Sequence, residues 1–388
     1  MKGVYVSGVS MTRFGKHPDK GLLDLAVEAG KAAMGDAGIT TKEVDALYFG
    51  NFLGRGFERQ GVMASIIARR LGLENVPATN VEGACASAGI ALRHGVLSVA
   101  AGAARAALCI GAEHMTRPTT SEVTAGLAEV GDTASDGATG LTFPGFFGLV
   151  ATAYMKQYGM RTEHLSAVTV KNRRHAARNP LAMFQTPTTA EQIAESRMIA
   201  DPLRLLHCSP ISDGAAAAIV TGERLAQQSR GGAVRVLAAE QSSGPVAISH
   251  METLTSFPAT IAAAERAYKN AGIRPEDLDV VELHDCFSIT EIVNTADLGL
   301  IPHGEAHEAI LEGVTCHGTP GLVVNPGGGL LGRGHPVGAT GLSQVYEIVA
   351  QLRGTSHNQV QGARLGMAHN LGGTGATCTV TILERLSR

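Results

Sequence analysis

Two stretches of the chain are closely similar. Residues 37–49 are AGITTKEVDALYF, and residues 271–283 are AGIRPEDLDVVEL. In each, a helix is predicted to end at the glycine, an acidic turn to follow and an apolar strand to begin. A second pair repeats at one shared offset: residues 213–225 are DGAAAAIVTGERL, and residues 374–386 are TGATCTVTILERL. These repeats predict two halves of similar design that meet near Gly231 and Gly232.

The two predicted halves differ in length. The first covers residues 1–230 and the second residues 231–388, and we expect the excess of the first to form an insertion at about 116–207. Strands that alternate with helices predict an α/β architecture with largely parallel sheets. The clearest predicted helix runs from Thr340 to Arg353, because apolar residues recur there at helical spacing and Gly354 follows as a cap.

Composition excludes several classes of protein. The chain has 388 residues, 32 Lys+Arg against 35 Asp+Glu and 44% hydrophobic residues, which is typical of a globular protein. The near-neutral charge gives no footprint for nucleic acid, and no apolar run reaches the roughly 20 residues of a membrane helix. The first residues lack the pattern of a secretory signal, so we expect a cytoplasmic location.

Cys85 and His335 are the first candidates for chemistry. Cys85 lies between a Gly-containing turn and an Ala-rich helix. A thiol at a helix N-terminus is expected to have a lowered pKa and to act as a nucleophile; the alternative is a buried cysteine in a close-packed helix start. His335 stands in the glycine-rich run 327–341, just before a helix. It is either a base or hydrogen-bond donor, or a residue that only fixes the turn.

Two further segments follow predicted strands. His284 and Cys286 come directly after the second-half strand, where catalytic groups of α/β sheets commonly lie. A metal reading of this pair lacks a third and fourth ligand, so no metal site is expected. Asn370 and Gly372 lie before the last strand. Backbone N–H groups there could form an oxyanion hole, or the glycines could serve packing alone.

The predicted insertion contains two notable groups. The densest basic cluster of the chain lies on a helix-like segment from Thr162 to Arg178, and it is either a solvated helix face or a contact for the phosphates of an anionic ligand. Its members include Lys171, Arg173, Arg174 and Arg178. The segment from Gly140 to Gly148 carries three phenylalanines, which either line a pocket or pack the insertion.

These segments together resemble the thiolase superfamily, over essentially the whole chain. Residues 334–341 match Gly-His-Pro-x-Gly-Ala-Thr-Gly, a highly specific signature there, and residues 85–87 match its Cys-x-Ser nucleophile motif. Most thiolases have Asn-Glu-Ala-Phe where residues 284–287 are His-Asp-Cys-Phe, a version similar to the sterol-carrier-protein-2-type branch. As in that branch, residues 370–372 are Asn-Leu-Gly in place of Cys-x-Gly.

The resemblance implies a fold and a set of roles. It implies two βαβαβαββ halves packed as a five-layered α-β-α-β-α body, with an inserted loop domain that holds coenzyme A. Cys85 would be acylated, and His335 would accept its proton. His335 would later help hold an enolate oxygen, and His284 would position a water that completes this oxyanion hole. The N–H groups of Cys85 and Gly372 would form a second hole, and Cys286, not Cys378, would be the acid/base group.

The function implied is that of a coenzyme A-dependent acyltransferase of acyl-CoA (lipid) metabolism. It would cleave 3-ketoacyl-CoA by thiolysis or form it by Claisen condensation, with coenzyme A as substrate and no permanently bound cofactor. Alternatives are a steroid side-chain aldolase, against which Cys85 argues, a polyketide acyltransferase, and a non-catalytic subunit. The resemblance also implies a homodimer or tetramer, and a small acyl-CoA-binding partner with a zinc ribbon and an OB fold. The cluster from Lys171 to Arg178 would contact the phosphates of coenzyme A.

Overall fold

A computed structural model describes residues 3–386 of the chain. The strands in this part of the chain are β1 Val4–Met11, β2 Ala46–Gly50, β3 Ala78–Val81, β4 Ala106–Glu113, β5 Met198–Ala200, β6 Leu203–Arg204, β7 Gly214–Gly222, β8 Val234–Ser243, β9 Val280–Glu282, β10 Val323–Val324, β11 Leu365–Gly372 and β12 Thr377–Arg385.

The helices alternate with these strands. In chain order they are α1 Leu22–Ala37, α2 Gly54–Phe57, α3 Met63–Leu71, α4 Ser87–Ala100, α5 Thr120–Ala128, α6 Phe143–Tyr158, α7 Thr162–Ala176, α8 Ala190–Glu195, α9 Glu223–Ala226, α10 Pro258–Ala271, α11 Ser288–Asp297, α12 Ala306–Leu311, α13 Gly329–Arg333 and α14 Thr340–Arg353. Short 3₁₀ turns occur at Ala84–Ala86, Gly137–Thr139, Leu205–His207, Ile248–His250, Pro275–Asp277 and Val337–Ala339.

The predicted repeats have the local structure expected of them. The first repeat ends α1 and begins β2, and its counterpart ends α10 and begins β9. Gly38 and Gly272 cap the two helices in the left-handed region, with φ of 72° and 70°, a conformation that favours glycine because it has no Cβ. The predicted helix α14 likewise ends at Arg353, and Gly354 caps it at a φ of 78°.

The main sheet shows the duplication directly. Over residues 3–386 its strand order is β10-β9-β11-β12-β8-β1-β7-β4-β2-β3. Read outward from the central β8–β1 pair, β1-β7-β4-β2-β3 on one side mirrors β8-β12-β11-β9-β10 on the other. The halves join through two residue pairs of this seam, Tyr5 with Arg235 and Val6 with Val234.

The sheet is mixed, so the prediction of largely parallel pairing is only partly right. In the first half β2 is parallel to β3 and β4, whereas β7 is antiparallel to β1 and β4. In the second half β9 is parallel to β10 and β11, whereas β12 is antiparallel to β8 and β11. The short turn between β11 and β12 imposes antiparallel pairing, since a parallel pair needs a long crossover.

Helices cover both faces of each half-sheet. Helix α1 packs on β1, β7 and β4, and α10 packs on β8 and β12. Helices α4 and α14 contact each other and strands of both halves, so they form the central layer. The resulting body has the predicted α-β-α-β-α layers. No helix between residues 3 and 386 has the length and apolar character needed to cross a bilayer.

The region predicted as an insertion contributes α5 to α8 and the small β5–β6 pair. Its three phenylalanines belong to the buried core, as expected if they pack the insertion. Phe147 stacks on Phe287 with ring centroids 4.6 Å apart, and Phe143 lies 5.8 Å from the same ring. The insertion is therefore held against the residue that follows Cys286.

The two central helices begin in the same way. A 3₁₀ turn at Ala84–Ala86 leads into α4, and a 3₁₀ turn at Val337–Ala339 leads into α14. Each of these helices has 14 residues. The two turns contact each other, so the N-terminal ends of both helices meet at one point between the halves.

Candidate active site

Cys85 lies in the first of these turns, on a backbone that local hydrogen bonds hold in place. Ala84 has a φ of +50°, which is unusual for a residue with a Cβ. Its N–H donates to Glu82 Oε1 at 2.6 Å, and its carbonyl accepts from Ser87 Oγ at 2.7 Å. Ser87 Oγ in turn accepts from Gly83 N at 3.0 Å. These bonds aim the thiol of Cys85 into the space between the two halves.

Burial keeps the Cys85 thiol protonated. The side chain is 1% exposed, and burial raises its pKa to about 12, with the negative charge of Glu113 adding to the effect. The backbone N–H of Gly373 acts in the opposite direction but is outweighed. The lowered pKa predicted from the helix N-terminus is therefore wrong for the resting site, because desolvation penalises the thiolate more than the N–H groups favour it. The thiol needs a base.

His335 has the hydrogen bonds of such a base. Its Nδ1 lies 2.7 Å from Thr340 Oγ1, which donates its own proton to Pro336 O at 3.1 Å. We therefore assign the ring proton to Nδ1, which leaves a lone pair on Nε2. Nε2 is buried and has no hydrogen-bond partner within residues 3–386. Burial, with the charge of Arg333, lowers the pKa of His335 to about 3, so the imidazole is neutral at neutral pH.

His284 has the opposite polarity. Asn370 Nδ2 donates to His284 Nδ1 at 3.1 Å, so the ring proton is assigned to Nε2, where it can be donated into the site. Burial lowers the pKa of His284 well below its usual value, with the neighbouring His335 and His369 adding to the effect. The rings of His284 and His335 lie 5.1 Å apart at 80°. The site thus offers one neutral imidazole as acceptor and one as donor.

Both imidazoles stand beside the thiol. Cys85 Sγ and one ring nitrogen each of His284 and His335 lie within 4.8 Å of one another. Such a set could also bind a soft cation. The sequence predicted that these residues of different halves belong to one site, and the structure brings them together.

Asn370 acts on this site through His284. It lies on β11, and its Oδ1 has no partner among the described residues. Gly341 faces that oxygen, because a Cβ at Gly341 would collide with it. The third glycine of the signature 334–341 therefore gives the amide the room it needs to orient His284.

Cys286 is the second thiol of the site. It lies between β9 and α11, is 1% exposed, and has Sγ 3.9 Å from Thr290 Oγ1. Burial raises its pKa well above the usual value, and the nearby Cys85 is the next cause. Cys378, by contrast, is buried on β12 within the second-half core, with Thr260 as its hydrogen-bond partner.

Gly372 and Gly373 bring the end of β11 against the nucleophile turn. A Cβ at Gly372 would collide with Gly83 O, so only glycine allows this approach. Gly373 has a φ of +64°, and its N–H is the group whose hydrogen bond lowers the Cys85 pKa. The sequence analysis pointed to Gly372 instead. The φ of Gly373 decides which N–H group turns toward Cys85, and the sequence gives no signal of this angle.

Glu113 is a buried residue of the site that sequence reasoning missed. Its Oε2 accepts from the N–H groups of Phe52 and Gly338, both at 3.1 Å, and its Oε1 accepts from Asn51 Nδ2 at 2.9 Å. It thus ties the end of β4 to the turn before α14. Burial raises its pKa to about 7. A lone glutamate at a strand end gives no local signal of this role.

Asp285 was likewise missed as a supporting residue. Its Oδ1 accepts from Leu330 N at 2.7 Å, and its Oδ2 accepts from Asn172 Nδ2 at 2.7 Å. These bonds join the segment of His284 and Cys286 to α13 and α7. The helix α7 of the insertion therefore supports the site from behind.

The predicted phosphate cluster separates into two pairs. Lys171 is buried, with Nζ 2.6 Å from Glu291 Oε1 and 3.0 Å from Val324 O. Arg173 is buried with its guanidinium 3.5 Å from the Phe184 ring centroid. Their charges are thus engaged inside the protein. Arg174 and Arg178 are exposed and line a cleft of about 320 Å³.

The duplicated body, with a thiol between two neutral imidazoles where its halves meet, defines a thiolase-type α/β enzyme. Residues 4–224 match the thiolase N-terminal domain family, and residues 240–385 match the thiolase C-terminal domain-like family. The chain therefore belongs to the thiolase family.

Named relatives agree with this membership. The chain is 43% identical over 386 residues to an acetyl-CoA acetyltransferase of Methanothermobacter thermautotrophicus, covering 99% of this chain and all of the relative. It is 34% identical over 407 residues to human sterol carrier protein 2, covering 99% of this chain and 72% of the relative. A solved structure titled "Ltp2-ChsH2(DUF35) aldolase" is similar at a TM-score of 0.84 and 27% identity, covering 99% of this chain and 98% of the other.

Proposed function

We propose that the chain catalyses coenzyme A-dependent acyl transfer of the thiolase type through an acyl-Cys85 intermediate. The observation that carries the proposal is the opposite polarity of the two imidazoles beside Cys85: His335 offers a lone pair and His284 offers an N–H. A buried thiol with a raised pKa needs the first, and a developing oxyanion needs the second. The name of the archaeal relative supports acetyl-CoA as one acyl donor.

In thiolysis, His335 Nε2 takes the proton of the Cys85 thiol as Sγ attacks the keto carbon of a 3-ketoacyl-CoA. Backbone N–H groups, of Cys85 with Gly372 or Gly373, stabilise the tetrahedral oxyanion. The bond between the keto carbon and its neighbour then breaks. The shortened acyl group stays on Cys85, and the other fragment leaves as the enolate of acetyl-CoA.

Cys286 protonates the enolate. The His284 N–H, directly or through a water, stabilises the enolate oxygen, and the Cys286 thiol gives its proton to the carbon to release acetyl-CoA. Coenzyme A then gives its thiol proton to the Cys286 thiolate and attacks acyl-Cys85. The bond to Sγ breaks, and Cys85 recovers its proton from His335. The reverse sequence is Claisen condensation.

The test is the intact mass of the protein after incubation with acetyl-CoA and, separately, with a longer acyl-CoA. We expect a gain of one acyl group, and no gain for Cys85→Ala. Cys378→Ala serves as the matched control, because it removes a buried thiol of the second-half core and should keep the adduct. Wild-type protein that gains no acyl group from either donor would overturn the proposal.

An aldolase is the second candidate, because the chain resembles the solved aldolase over nearly its full length. A retro-aldol cleavage of a 3-hydroxyacyl-CoA gives a carbonyl compound and an acyl-CoA without an acyl-enzyme. Release of acetyl-CoA from such a substrate by Cys85→Ala, without added coenzyme A, would support this candidate. The thiol nucleophile of the wild-type site argues for thiolysis instead.

We further propose that Arg174 and Arg178 are the members of the basic cluster available to the phosphates of coenzyme A. They are exposed, whereas Lys171 and Arg173 are engaged inside the protein. A rise in KM for acetyl-CoA in Arg174→Ala, with kcat retained, would support the contact. An unchanged KM in both arginine variants would contradict it.

We propose a homodimer, on the resemblance and on the free edge of β3. Thr79 and Asn80 on this edge strand are exposed, and the Cys85 turn follows a few residues later. An exposed strand edge pairs readily with another chain. Sedimentation velocity would separate monomer, dimer and tetramer. A small acyl-CoA-binding partner and a cytoplasmic location stay predictions; a stable, active homodimer obtained from this chain alone would remove the need for the partner.

A further inference from the structure

A second cluster of metal-ligating side chains lies outside the acyl-transfer site. His164 stands in the first turn of α7, and His307 and Glu308 stand on α12. One ligand atom of each lies within 4.8 Å of the other two. Both histidines are buried, whereas the Glu308 side chain is 49% exposed. The cluster is therefore closed on the inside and open to solvent at the carboxylate.

The buried ring nitrogens of this cluster are incompletely paired. His164 Nε2 lies 3.2 Å from Glu308 Oε1 but makes no hydrogen bond of good geometry to any described residue, and His307 Nδ1 has no partner there either. Buried polar atoms of native proteins are nearly always paired, because a lost hydrogen bond to water costs free energy. The His307 nitrogen next to the carboxylate is Nε2, 3.8 Å from Glu308 Oε1. The unpaired His164 Nε2 therefore lies close to a carboxylate oxygen and to a second imidazole nitrogen, an arrangement that calls for an additional partner.

The surroundings fit a cation. The His164 and His307 rings meet edge to face, with centroids 4.8 Å apart at 77°, so that both can direct a nitrogen to one point. His164 Nδ1 lies 2.9 Å from Arg161 N and 3.1 Å from Arg161 O, and that carbonyl can accept the Nδ1 proton once Nε2 is a ligand. Such an outer hydrogen bond is usual for a metal-bound histidine. The Tyr154 ring packs against His307 at 5.8 Å and shields the inner side.

We propose that His164, His307 and Glu308 form a binding site for Zn²⁺, with a solvent water at the open position. Two imidazole nitrogens and one carboxylate oxygen are a ligand set that Zn²⁺ uses in proteins. His164 belongs to the first half's insertion and the other two ligands to the second half. The ion would hold α12 against α7. Helix α7 also carries Asn172, which donates a hydrogen bond to Asp285.

The test uses chelator-treated protein in a Cys85→Ala background, which removes the thiol of the other donor set. Zn²⁺ alone is titrated against a chromophoric chelator, and bound metal is counted by mass spectrometry. We expect one Zn²⁺ per chain and a rise in Tm. Glu308→Gln should weaken binding by about tenfold or more, since even outer-shell changes at metal sites cost 10- to 100-fold. The visible absorption bands of bound Co²⁺ should also disappear in Glu308→Gln.

Matched variants separate this site from surface binding. Glu312 is exposed and lies one helical turn beyond Glu308, so Glu312→Gln should leave Zn²⁺ affinity unchanged. His303→Ala tests the nearby half-exposed histidine and should also leave it unchanged. His307→Ala should abolish binding; if that variant does not fold, Glu308→Gln decides. Equal affinity in Glu308→Gln and Glu312→Gln, or no Zn²⁺ bound by the Cys85→Ala chain, would overturn the proposal.

Discussion

Thr340→Val tests whether the acyl-transfer site depends on the assigned tautomer of His335. The Thr340 hydroxyl accepts a hydrogen bond from His335 Nδ1–H, with Nδ1 and Oγ1 2.7 Å apart, and donates one to Pro336 O at 3.1 Å. Valine has nearly the same shape but cannot accept a hydrogen bond from Nδ1–H. Nδ1–H is then left buried without a partner, and the alternative tautomer, which places the proton on Nε2, becomes competitive. That tautomer cannot take the proton of Cys85.

The size of the effect follows from the lost hydrogen bond. Leaving a buried donor unpaired costs about 1–3 kcal/mol. If that cost is borne by the reactive tautomer, it corresponds to roughly a 5- to 150-fold slower acylation, because about 1.36 kcal/mol changes a rate tenfold. The binding of acetyl-CoA should change little, since Thr340 acts through His335 and is itself a positioning residue.

Acylation is measured by rapid-quench mass spectrometry of the acyl-enzyme, at several acetyl-CoA concentrations so that the rate and the apparent affinity separate. Thr340→Ser is the matched control, because it retains the hydroxyl and should acylate within a few-fold of wild type. Urea unfolding of both variants checks that the fold is intact. Acylation by Thr340→Val at the wild-type rate, or an equal loss in Thr340→Ser, would refute the reasoning about the tautomer.

Three further predictions follow from the structure. Cys286→Ala should still form the acyl-enzyme from acetyl-CoA but lose at least about 10²-fold in thiolysis turnover, the lower range of acid/base catalysis, while Cys378→Ala retains turnover; steady-state assays would contradict the assignment if the order were reversed. Gly372→Ala should destabilise the nucleophile turn, because its Cβ would collide with Gly83 O, whereas Gly56→Ala has open space and should be tolerated; thermal unfolding of the two compares them. Burial lowers the pKa of His207 from 6.5 to about 4. Between these two pH values the unfolded chain takes up a proton that the folded chain does not. The free energy of unfolding therefore falls as the pH is lowered from 6.5 toward 4. His207→Asn should remove a slope of about 1.36 kcal/mol per pH unit in that window, and urea titrations at pH 7, 6 and 5 that show no difference from wild type would contradict it.

The fold could be predicted well because its signals are local and repeated. The glycines that end α1 and α10, the apolar stripe of α14 and the paired repeats each specify an element within about a dozen residues. Pairing direction was predicted less well, since β7 and β12 run antiparallel to their neighbours for reasons of chain path that the strand sequences do not carry. The placement of Phe147 against Phe287 is similarly a contact between distant segments.

The sequence indicated which residues lie together in the candidate site better than it indicated their pKa values and charge pairing. The helix N-terminus beside Cys85 is visible in the sequence, but the burial that reverses the pKa direction comes from both halves together. Lys171 looks like a free charge until Glu291 of the second half is placed beside it. Glu113 has no motif of its own, and its role arises only when the end of β4 meets the turn before α14. Thr340 lies in the signature 334–341, but the motif does not say which nitrogen of His335 it contacts.

The matching 3₁₀ turns before α4 and α14 have a consequence for the origin of the enzyme. A single half that paired with a copy of itself about the β1–β8 seam would bring two identical turns together at the centre. In the present chain one of these turns carries a thiol and the segment leading into the other carries an imidazole. Gene duplication and fusion would have freed the two copies to diverge, so that catalysis became a division of labour between formerly equivalent positions.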